Sequence, residues 1–431
     1  MFKHLFCLVA FFVSSPVMAA GPLVLEGPAG NTPVSYQNPN IIFNIESGPL
    51  DADTDNDAAD QLVRDAFALW NNIPTSIINL TQGRDIGVDI DGDNFNDSIP
   101  DPANNRIHND NDCLNPVVYD SDGSIIDTFF GVNASDNVVG FAASSLYIGD
   151  SYFTEGFIVI SGKPLPLQDP LTDNEITLII AHELGHAFGL DHSQANMDNT
   201  EEFLTNSCDT APNLAYPLMY PWACRDRQQP HPDDVLSLSM LYPVSDYYAT
   251  HGQLSGRFLA GTAPVLGANL WVKDVSTGAV YSIVSDYLTQ GTGFFSLMLP
   301  KGTYELHANS INDEFFGGSS VGPYATDMND LSFQTPASSI GPVTFAAGGP
   351  PPALLTITAG QATVVTFNAD GSGNITENQP IADLSPAHDP SAVCTITSTD
   401  GGGGSPSLPL LAALFCIPVL RAYYRKINTA V

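Results

Sequence analysis

Three histidines in a short segment have the residue types and the spacing of a metal site. His182 and His186 are four residues apart, and His192 follows six residues later. On a helix, side chains four residues apart lie on the same side, so two neutral imidazoles there can bind one zinc ion. A third ligand at His192 leaves one position of a tetrahedral ion open for water, which is the arrangement of a catalytic zinc site.

Glu183 is the candidate base, because it directly follows the first of these histidines. Its carboxylate can reach a water molecule beside the ion rather than the ion itself. A carboxylate in that place takes the proton of the water that attacks a peptide carbonyl and then hands it to the leaving amine. The segment therefore predicts hydrolysis with zinc as the cofactor and Glu183 as the catalytic residue.

Local signals predict the elements that position these side chains. Thr172 and Glu175 have the spacing of a capping box, which predicts the start of a helix ahead of the histidines. Gly189 can adopt a left-handed backbone, which ends that helix and turns the chain towards His192. Helix, turn and third histidine are thus expected to form one local unit.

The histidine segment and the later segment Leu-Met-Tyr-Pro at residues 218–221 together resemble the matrixin branch of the metzincins, the matrix-metalloprotease-like peptidases. The resemblance spans roughly residues 40–243. It implies an α+β catalytic domain with a mixed twisted sheet and three main helices. It also implies zinc ligation by the three histidines, Glu183 as the base, and Met219 as an apolar floor below the ligands.

The resemblance also places further elements of that domain. Three segments are similar to its opening strand, first helix and last helix, in that order: residues 41–45, 60–70 and 231–243. Strands are expected within residues 138–159. There, Gly140, Phe141 and Ala142 are similar to the edge segment that pairs antiparallel with a substrate backbone. The implied partners are therefore extended polypeptides.

Acidic residues dominate the charge of the chain. There are 47 Asp and Glu against 13 Lys and Arg, a formal net charge of −34. Such a field repels nucleic acids and anionic membrane surfaces, so neither is expected as a partner, whereas cations are attracted. An Asp-rich insertion at about residues 85–125 resembles part of a calcium loop. A calcium site and a solvated acidic loop both remain open for its candidate ligands, Asp89, Asp91, Asp93 and Asp97.

Both ends of the chain have the pattern of targeting signals. Residues 1–19 combine a basic start, an apolar run and small residues at the cleavage position, which predicts a secretory signal peptide. Residues 401–431 combine a glycine run, a short apolar stretch and a basic end. They resemble the GlyGly-CTERM sorting tail that a rhomboid-type protease removes in Gram-negative bacteria, and a plain C-terminal transmembrane anchor is the alternative. In either case the chain is expected to be exported, and then secreted or held at the cell surface.

Four cysteines lie between these two targeting signals. In an oxidising compartment disulfides are the default state of such cysteines. Cys208 and Cys224 would close a modest loop and are the favoured pair, which leaves Cys113 and Cys394 for a second. The pairing remains open at this point.

The composition changes after the zinc domain, which is assigned to residues 20–248. In residues 251–368, short alternating apolar runs are separated by turns, which is typical of an all-β module. The order of its turn segments resembles the carboxypeptidase-regulatory-like, prealbumin-like β-sandwiches. Residues 369–400 are rich in Ser, Asn, Asp and Pro and predict a flexible linker.

These features together predict a secreted or surface-attached zinc-dependent endopeptidase that cleaves extracellular proteins. The alternative is a non-catalytic adhesin that uses the same scaffold as a binding surface. Glu183 discriminates between the two, because a non-catalytic relative would commonly lose the base or a ligand. Here the base and all three histidines are retained.

Overall fold

The structure is a computed structural model, and it describes residues 21–26, 32–95, 114–147, 152–166, 170–195, 216–221, 229–311, 319–326, 333–381, 387–392 and 409–418. For residues 145–147 and 409–418 the description covers the backbone. These parts of the chain form a mixed α/β structure with four α-helices: α1 (Asn56–Asn71), α2 (Ser124–Phe130), α3 (Asp173–Ala187) and α4 (Pro232–Leu241). The expected first helix, histidine helix and last helix correspond to α1, α3 and α4.

The N-terminal unit comprises the described residues from 21 to 249, and a mixed sheet forms its centre. The strands of this unit are β1 (Leu25–Glu26), β2 (Thr32–Pro33), β3 (Ser35–Tyr36), β4 (Asn40–Ile45), β5 (Asn79–Gln82), β6 (Pro116–Asp120), β7 (Val138–Tyr147), β8 (Tyr152–Phe153) and β9 (Glu155–Ser161). β5, β4, β6 and β9 lie side by side and parallel, and β7 pairs antiparallel with β9. β1 with β2, and β3 with β8, form two short additional pairs.

The main core lies between this sheet and the two long helices. α1 begins at the N-cap Asp55, whose side chain accepts from the Ala58 backbone N–H, and it buries one apolar face that ends at Trp70. The Trp70 indole N–H donates to the Ala181 carbonyl of α3 at 2.8 Å, and its ring meets Phe188 edge-on at 5.1 Å. A buried indole needs such a partner for its N–H. This contact anchors the histidine helix against α1.

The C-terminal unit, called the sandwich below, comprises two sheets within residues 251–380. Its strands are β10 (His251–Ala260), β11 (Ala263–Pro264), β12 (Ala268–Asp274), β13 (Val280–Val284), β14 (Phe294–Pro300), β15 (Gly302–Ser310), β16 (Val343–Thr344), β17 (Leu355–Ile357), β18 (Gln361–Asn368) and β19 (Gly373–Pro380). One sheet contains β11, β14, β10, β18 and β19, and the other contains β13, β12, β15, β16 and β17. The apolar residues that alternate along these strands, such as Leu270 and Val272, are buried in a shared core. The expected all-β module is therefore present.

The boundary predicted for the flexible linker is wrong at its N-terminal side. Residues 373–380 form β19, which pairs antiparallel with β18. Most of the residues of β19 are exposed, so backbone hydrogen bonds rather than apolar burial hold this strand. A polar edge strand has no hydrophobic period, which explains why its composition indicated a linker.

The Asp-rich insertion is also shorter than its predicted limits, residues 85–125. β6 lies within those limits, and all five of its residues are buried at the centre of the sheet. Asp120 is the last of these five residues, and its carboxylate accepts from the backbone N–H groups of Ile125 and Ile126 at the start of α2. That carboxylate therefore caps a helix and is not part of a solvated loop.

The outer edge of the main sheet is covered by a segment from the C-terminal end of the sequence. β20 (Pro409–Pro418) pairs antiparallel with β7, the strand that contains the predicted substrate-binding edge. The remainder of the predicted sorting tail and the whole predicted signal peptide lie outside the described residues. None of the helices in the described ranges combines the length and hydropathy that a membrane span requires.

Candidate metal centre

The helix α3 places two of the three histidines as its sequence predicts. The capping box is present in full: Thr172 Oγ1 accepts from the Glu175 backbone N–H, and the Glu175 carboxylate accepts from the Thr172 backbone N–H. The last turn of the helix closes on Gly189, whose φ of 112° is a left-handed conformation that favours glycine. The chain then reverses and brings His192 to the other two rings.

The three histidines converge in the interior. Their ligand nitrogens all lie within 4.8 Å of one another, and the two Nε2 atoms of His182 and His186 are 2.9 Å apart. Each ring is at most 2% exposed. Among the residues that the structure describes, this triad is the single group of histidine, cysteine or carboxylate side chains that meets this distance. It can hold a metal ion.

Each ring is oriented by a backbone carbonyl at its outer nitrogen. Nδ1 of His182 lies 2.6 Å from the Leu218 carbonyl, and Nδ1 of His186 lies 2.8 Å from the Leu190 carbonyl. The Ser320 carbonyl lies 2.6 Å from Nδ1 of His192. A carbonyl can only accept, so each Nδ1 carries the proton and each Nε2 directs its lone pair inward. Such contacts orient the histidine ligands of metal sites.

Burial keeps these rings neutral. It lowers the pKa of His182 to about 4, and together with the neighbouring His182 it lowers the pKa of His192 to about 3. Burial, followed by the two neighbouring rings, also lowers the pKa of His186 well below its usual value. A neutral imidazole is the form that binds a metal ion. The rings are therefore in the ligating form at neutral pH.

Glu183 lies at this site and is fully buried. Neither oxygen of its carboxylate has a hydrogen-bond partner among the described residues, and burial raises the pKa of this carboxyl well above its usual range. An isolated carboxylate in the interior is costly unless a cation or a water molecule compensates it. On the same helix as His182 and His186, this unsatisfied carboxylate fits a site built around a cation and its water.

The strand β7 passes directly over the Glu183 carboxylate. A Cβ atom added at Gly140 would lie 2.9 Å from Glu183 Oε1 and 3.2 Å from the Val159 carbonyl oxygen. Of the three predicted edge residues, Gly140 and Ala142 thus belong to the face of the sheet near α3. The Phe141 ring packs on the opposite face, 5.1 Å from Phe130. The absence of a side chain at Gly140 leaves the space that Glu183 uses.

If Glu183 is the base that the sequence predicts, Gly140→Ala should lower the predicted peptide hydrolysis about tenfold or more and leave the metal affinity unchanged, because a misplaced catalytic group loses rate steeply. The added methyl group must displace the Glu183 carboxylate, and the three histidines are not touched. Steady-state rates and a zinc titration test this. Gly156→Ala on the neighbouring β9 is the control, because its methyl group meets the Tyr36 hydroxyl at 2.8 Å instead. Equal rates for Gly140→Ala and the unaltered chain would contradict the expectation.

Met219 packs against the histidine helix α3. It is fully buried, and a Cβ atom added at Gly185 of α3 would lie 2.3 Å from its sulfur. The Ser193 backbone N–H donates to the Met219 carbonyl at 2.8 Å. Asp234, in the first turn of α4, accepts from the backbone N–H groups of Leu218 and Met219. This turn is therefore tied both to the residue after His192 and to α4.

Three buried aspartates of this region were not recognised as site residues from the sequence. Asp234 holds the Met219 turn, Asp233 accepts from the Ser193 hydroxyl, and Asp191 accepts from the His192 backbone N–H. Burial raises the pKa of Asp191 to about 7 and that of Asp233 to about 8. The only signal available was their position, since Asp191 precedes the third histidine and the other two begin α4.

The remaining predicted site residues are not brought together. Asp89, Asp91 and Asp93 belong to no metal-binding group among the described residues, and the Asp91 carboxylate instead accepts from the backbone N–H groups of Asp93 and Asn94. Asp97 and the cysteines Cys113, Cys208, Cys224 and Cys394 lie outside the described residues. The calcium site and both disulfides therefore stay predictions.

Comparison of the chain with models of known protein families gives no match, and comparison with curated proteins gives no significant match.

Proposed function

We propose that this chain is a secreted or surface-attached zinc-dependent endopeptidase with a matrixin-type catalytic unit and a prealbumin-like sandwich. The observation that carries the proposal is the fully buried Glu183 carboxylate, which has no partner among the described residues and directly follows the first of three converging histidines. Three nitrogen ligands with one open position are typical of catalytic zinc. The buried histidines and Glu183 fit that ion.

The residues of the site divide the work of hydrolysis. His182, His186 and His192 would hold the ion through Nε2, while the carbonyls at their Nδ1 atoms keep the three rings in place. A bound zinc ion supplies Lewis acidity, which acidifies water and polarises a carbonyl. The Glu183 carboxylate accepts the proton of the attacking water and returns it to the leaving amine.

The edge of the sheet supports polypeptide as the substrate class. β7 accepts an extended segment, β20, in antiparallel pairing, with Phe141 opposite Cys416 and Ala142 opposite Phe415. This pairing brings a second backbone alongside the strand that covers Glu183. A strand edge recognises the backbone of an extended chain first and its side chains second. The same mode would bind a substrate across the site.

A non-catalytic adhesin is the competing function, and the state of Glu183 argues against it. A scaffold kept only for binding has no use for a buried carboxylate without a partner, because that group destabilises the fold. The cost is understandable where the carboxylate takes part in chemistry.

A peptide-library digest with and without a zinc chelator tests the proposal. We expect cleavage that the chelator abolishes and added zinc restores, and the cleavage sites would also define the preferred side chains. If the purified chain contains zinc yet cleaves no peptide or protein substrate, the adhesin becomes the better assignment.

A shortened chain that ends at residue 400 should cleave peptides roughly tenfold or more faster than the full chain, because a tethered segment competes at about millimolar effective concentration. The reason is that β20 occupies the edge of β7 on which a substrate would lie. A chain that ends at residue 418 retains β20 and is the matched control. Hydrogen exchange should show the backbone amides of residues 138–147 less protected in the shorter chain. Identical rates and identical protection in both chains would contradict this role of β20.

A further inference from the structure

The third histidine is held by a different part of the molecule from the first two. The carbonyls that orient His182 and His186 belong to Leu218 and Leu190, both in the N-terminal unit. The carbonyl that orients His192 belongs to Ser320 of the sandwich, 128 residues further along the chain. The ring of one candidate ligand is therefore positioned from outside the unit that contains the triad.

The residue before His192 is tied to the sandwich as well. Asp191 is buried, and its Oδ1 accepts from the His192 backbone N–H at 2.7 Å. Its Oδ2 accepts from the Gly322 backbone N–H and lies 2.6 Å from the Tyr287 hydroxyl. One carboxylate thus joins the backbone of the third histidine to two groups of the sandwich.

The residue after His192 has a parallel connection. The Ser193 hydroxyl donates to one oxygen of the Asp233 carboxylate. The other oxygen of Asp233 accepts from the Ser282 backbone N–H of β13 at 2.8 Å. A second buried carboxylate therefore links the third-histidine segment to the sandwich, on the other side of the ligand.

Tyr287 lies at the centre of this junction and is packed closely. Its hydroxyl also lies 2.7 Å from the Pro22 carbonyl, so it shares its proton between that oxygen and Asp191. A Cβ atom added at Gly21 or at Gly322 would lie within 2.5 Å of the Tyr287 ring, and both glycines have left-handed φ values. The ring is enclosed by two positions that tolerate no side chain, which indicates a fixed junction rather than a loose contact between units.

We propose that the sandwich is a structural part of the metal centre, and that Tyr287 is a positioning residue for His192. α3 and two carbonyls of the N-terminal unit fix His182 and His186, whereas His192 follows a glycine turn and has connections to the sandwich through its ring, Asp191 and Ser193. Without the Tyr287 hydroxyl, Asp191 and the backbone of His192 lose one of these fixed points. The inference rests on the metal site of the proposed function but not on its proteolysis.

Tyr287→Phe tests the inference, because it removes the hydroxyl and keeps the enclosed ring. We expect the dissociation constant for Zn²⁺, measured by competition with a chromophoric chelator, to rise about 10- to 100-fold, the range found when groups that orient metal ligands are removed. The visible absorption of the Co²⁺-substituted protein should change as well, because it reports the ligand geometry. Thermal unfolding of the metal-free variant shows whether the chain still folds.

Tyr304→Phe is the matched control. Tyr304 is buried in the same sandwich, and its hydroxyl donates to the Pro300 carbonyl at 2.7 Å, away from the histidines. Tyr304→Phe should leave the zinc affinity and the Co²⁺ spectrum unchanged. The inference is overturned if Tyr287→Phe behaves like Tyr304→Phe in both measurements, or if the unaltered chain binds no zinc. A chain that binds zinc normally but cleaves nothing would overturn the proposed function alone.

Discussion

Glu183→Gln should lower peptide hydrolysis by about two to four orders of magnitude, the range that a positioned general base contributes. The amide has nearly the same size as the carboxylate, but it cannot accept a proton from water at neutral pH. The three histidines and their carbonyl partners are not altered, so zinc should still bind with one ion per chain. Metal analysis and steady-state rates on the same preparation measure both effects.

Glu175→Gln is the matched control for Glu183→Gln. Glu175→Gln lies on the same helix and retains an acceptor oxygen for the Thr172 groups that cap it. This variant should keep its activity. If Glu183→Gln hydrolysed peptides at the rate of the unaltered chain, the assignment of the base would be wrong.

His186→Ala should weaken zinc binding strongly and lower proteolysis with it. Structural zinc sites with four ligands contribute about 10–16 kcal/mol, so one ligand is worth roughly 3 kcal/mol, or about two orders of magnitude in affinity. His186 is the central ring of the triad, with ring centroids 4.6 Å from His182 and 4.7 Å from His192. Zinc content after dialysis and the dissociation constant from chelator competition test the expectation.

His307→Ala is the control for that experiment. His307 stacks on Trp271 in the sandwich, with ring centroids 4.0 Å apart, and is not part of the triad. The substitution removes an imidazole from a partly buried position and should leave zinc binding intact. Stoichiometric zinc and normal proteolysis in His186→Ala would remove the basis of the metal site. The two site variants are also distinguishable, because Glu183→Gln loses activity but retains its metal, whereas His186→Ala loses the metal.

The histidine helix shows how far local signals reach. Its capping box, its two histidines on one side and the left-handed Gly189 are set by neighbours within a few residues along the chain, and the structure has all three. The first helix and the strands of the sandwich were predictable for the same reason, since their apolar residues repeat with the period of the element. Local rules failed at β19 and at β6. The first is an edge strand without a hydrophobic period, and the second is a buried strand within an Asp-rich stretch.

The sequence alone determined the type and number of the candidate metal-binding side chains and the presence of a carboxylate next to the first of them. Only the tertiary structure decided what orients His182 and His192, because their partners are distant in the sequence. Ser320 and Tyr287 belong to a different unit from the histidine segment, and β20 reaches the edge strand from the far end of the chain. Hydrogen bonds of this kind depend on how two folded surfaces meet. These contacts between the two units therefore cannot be recognised from residue spacing or hydrophobic period alone.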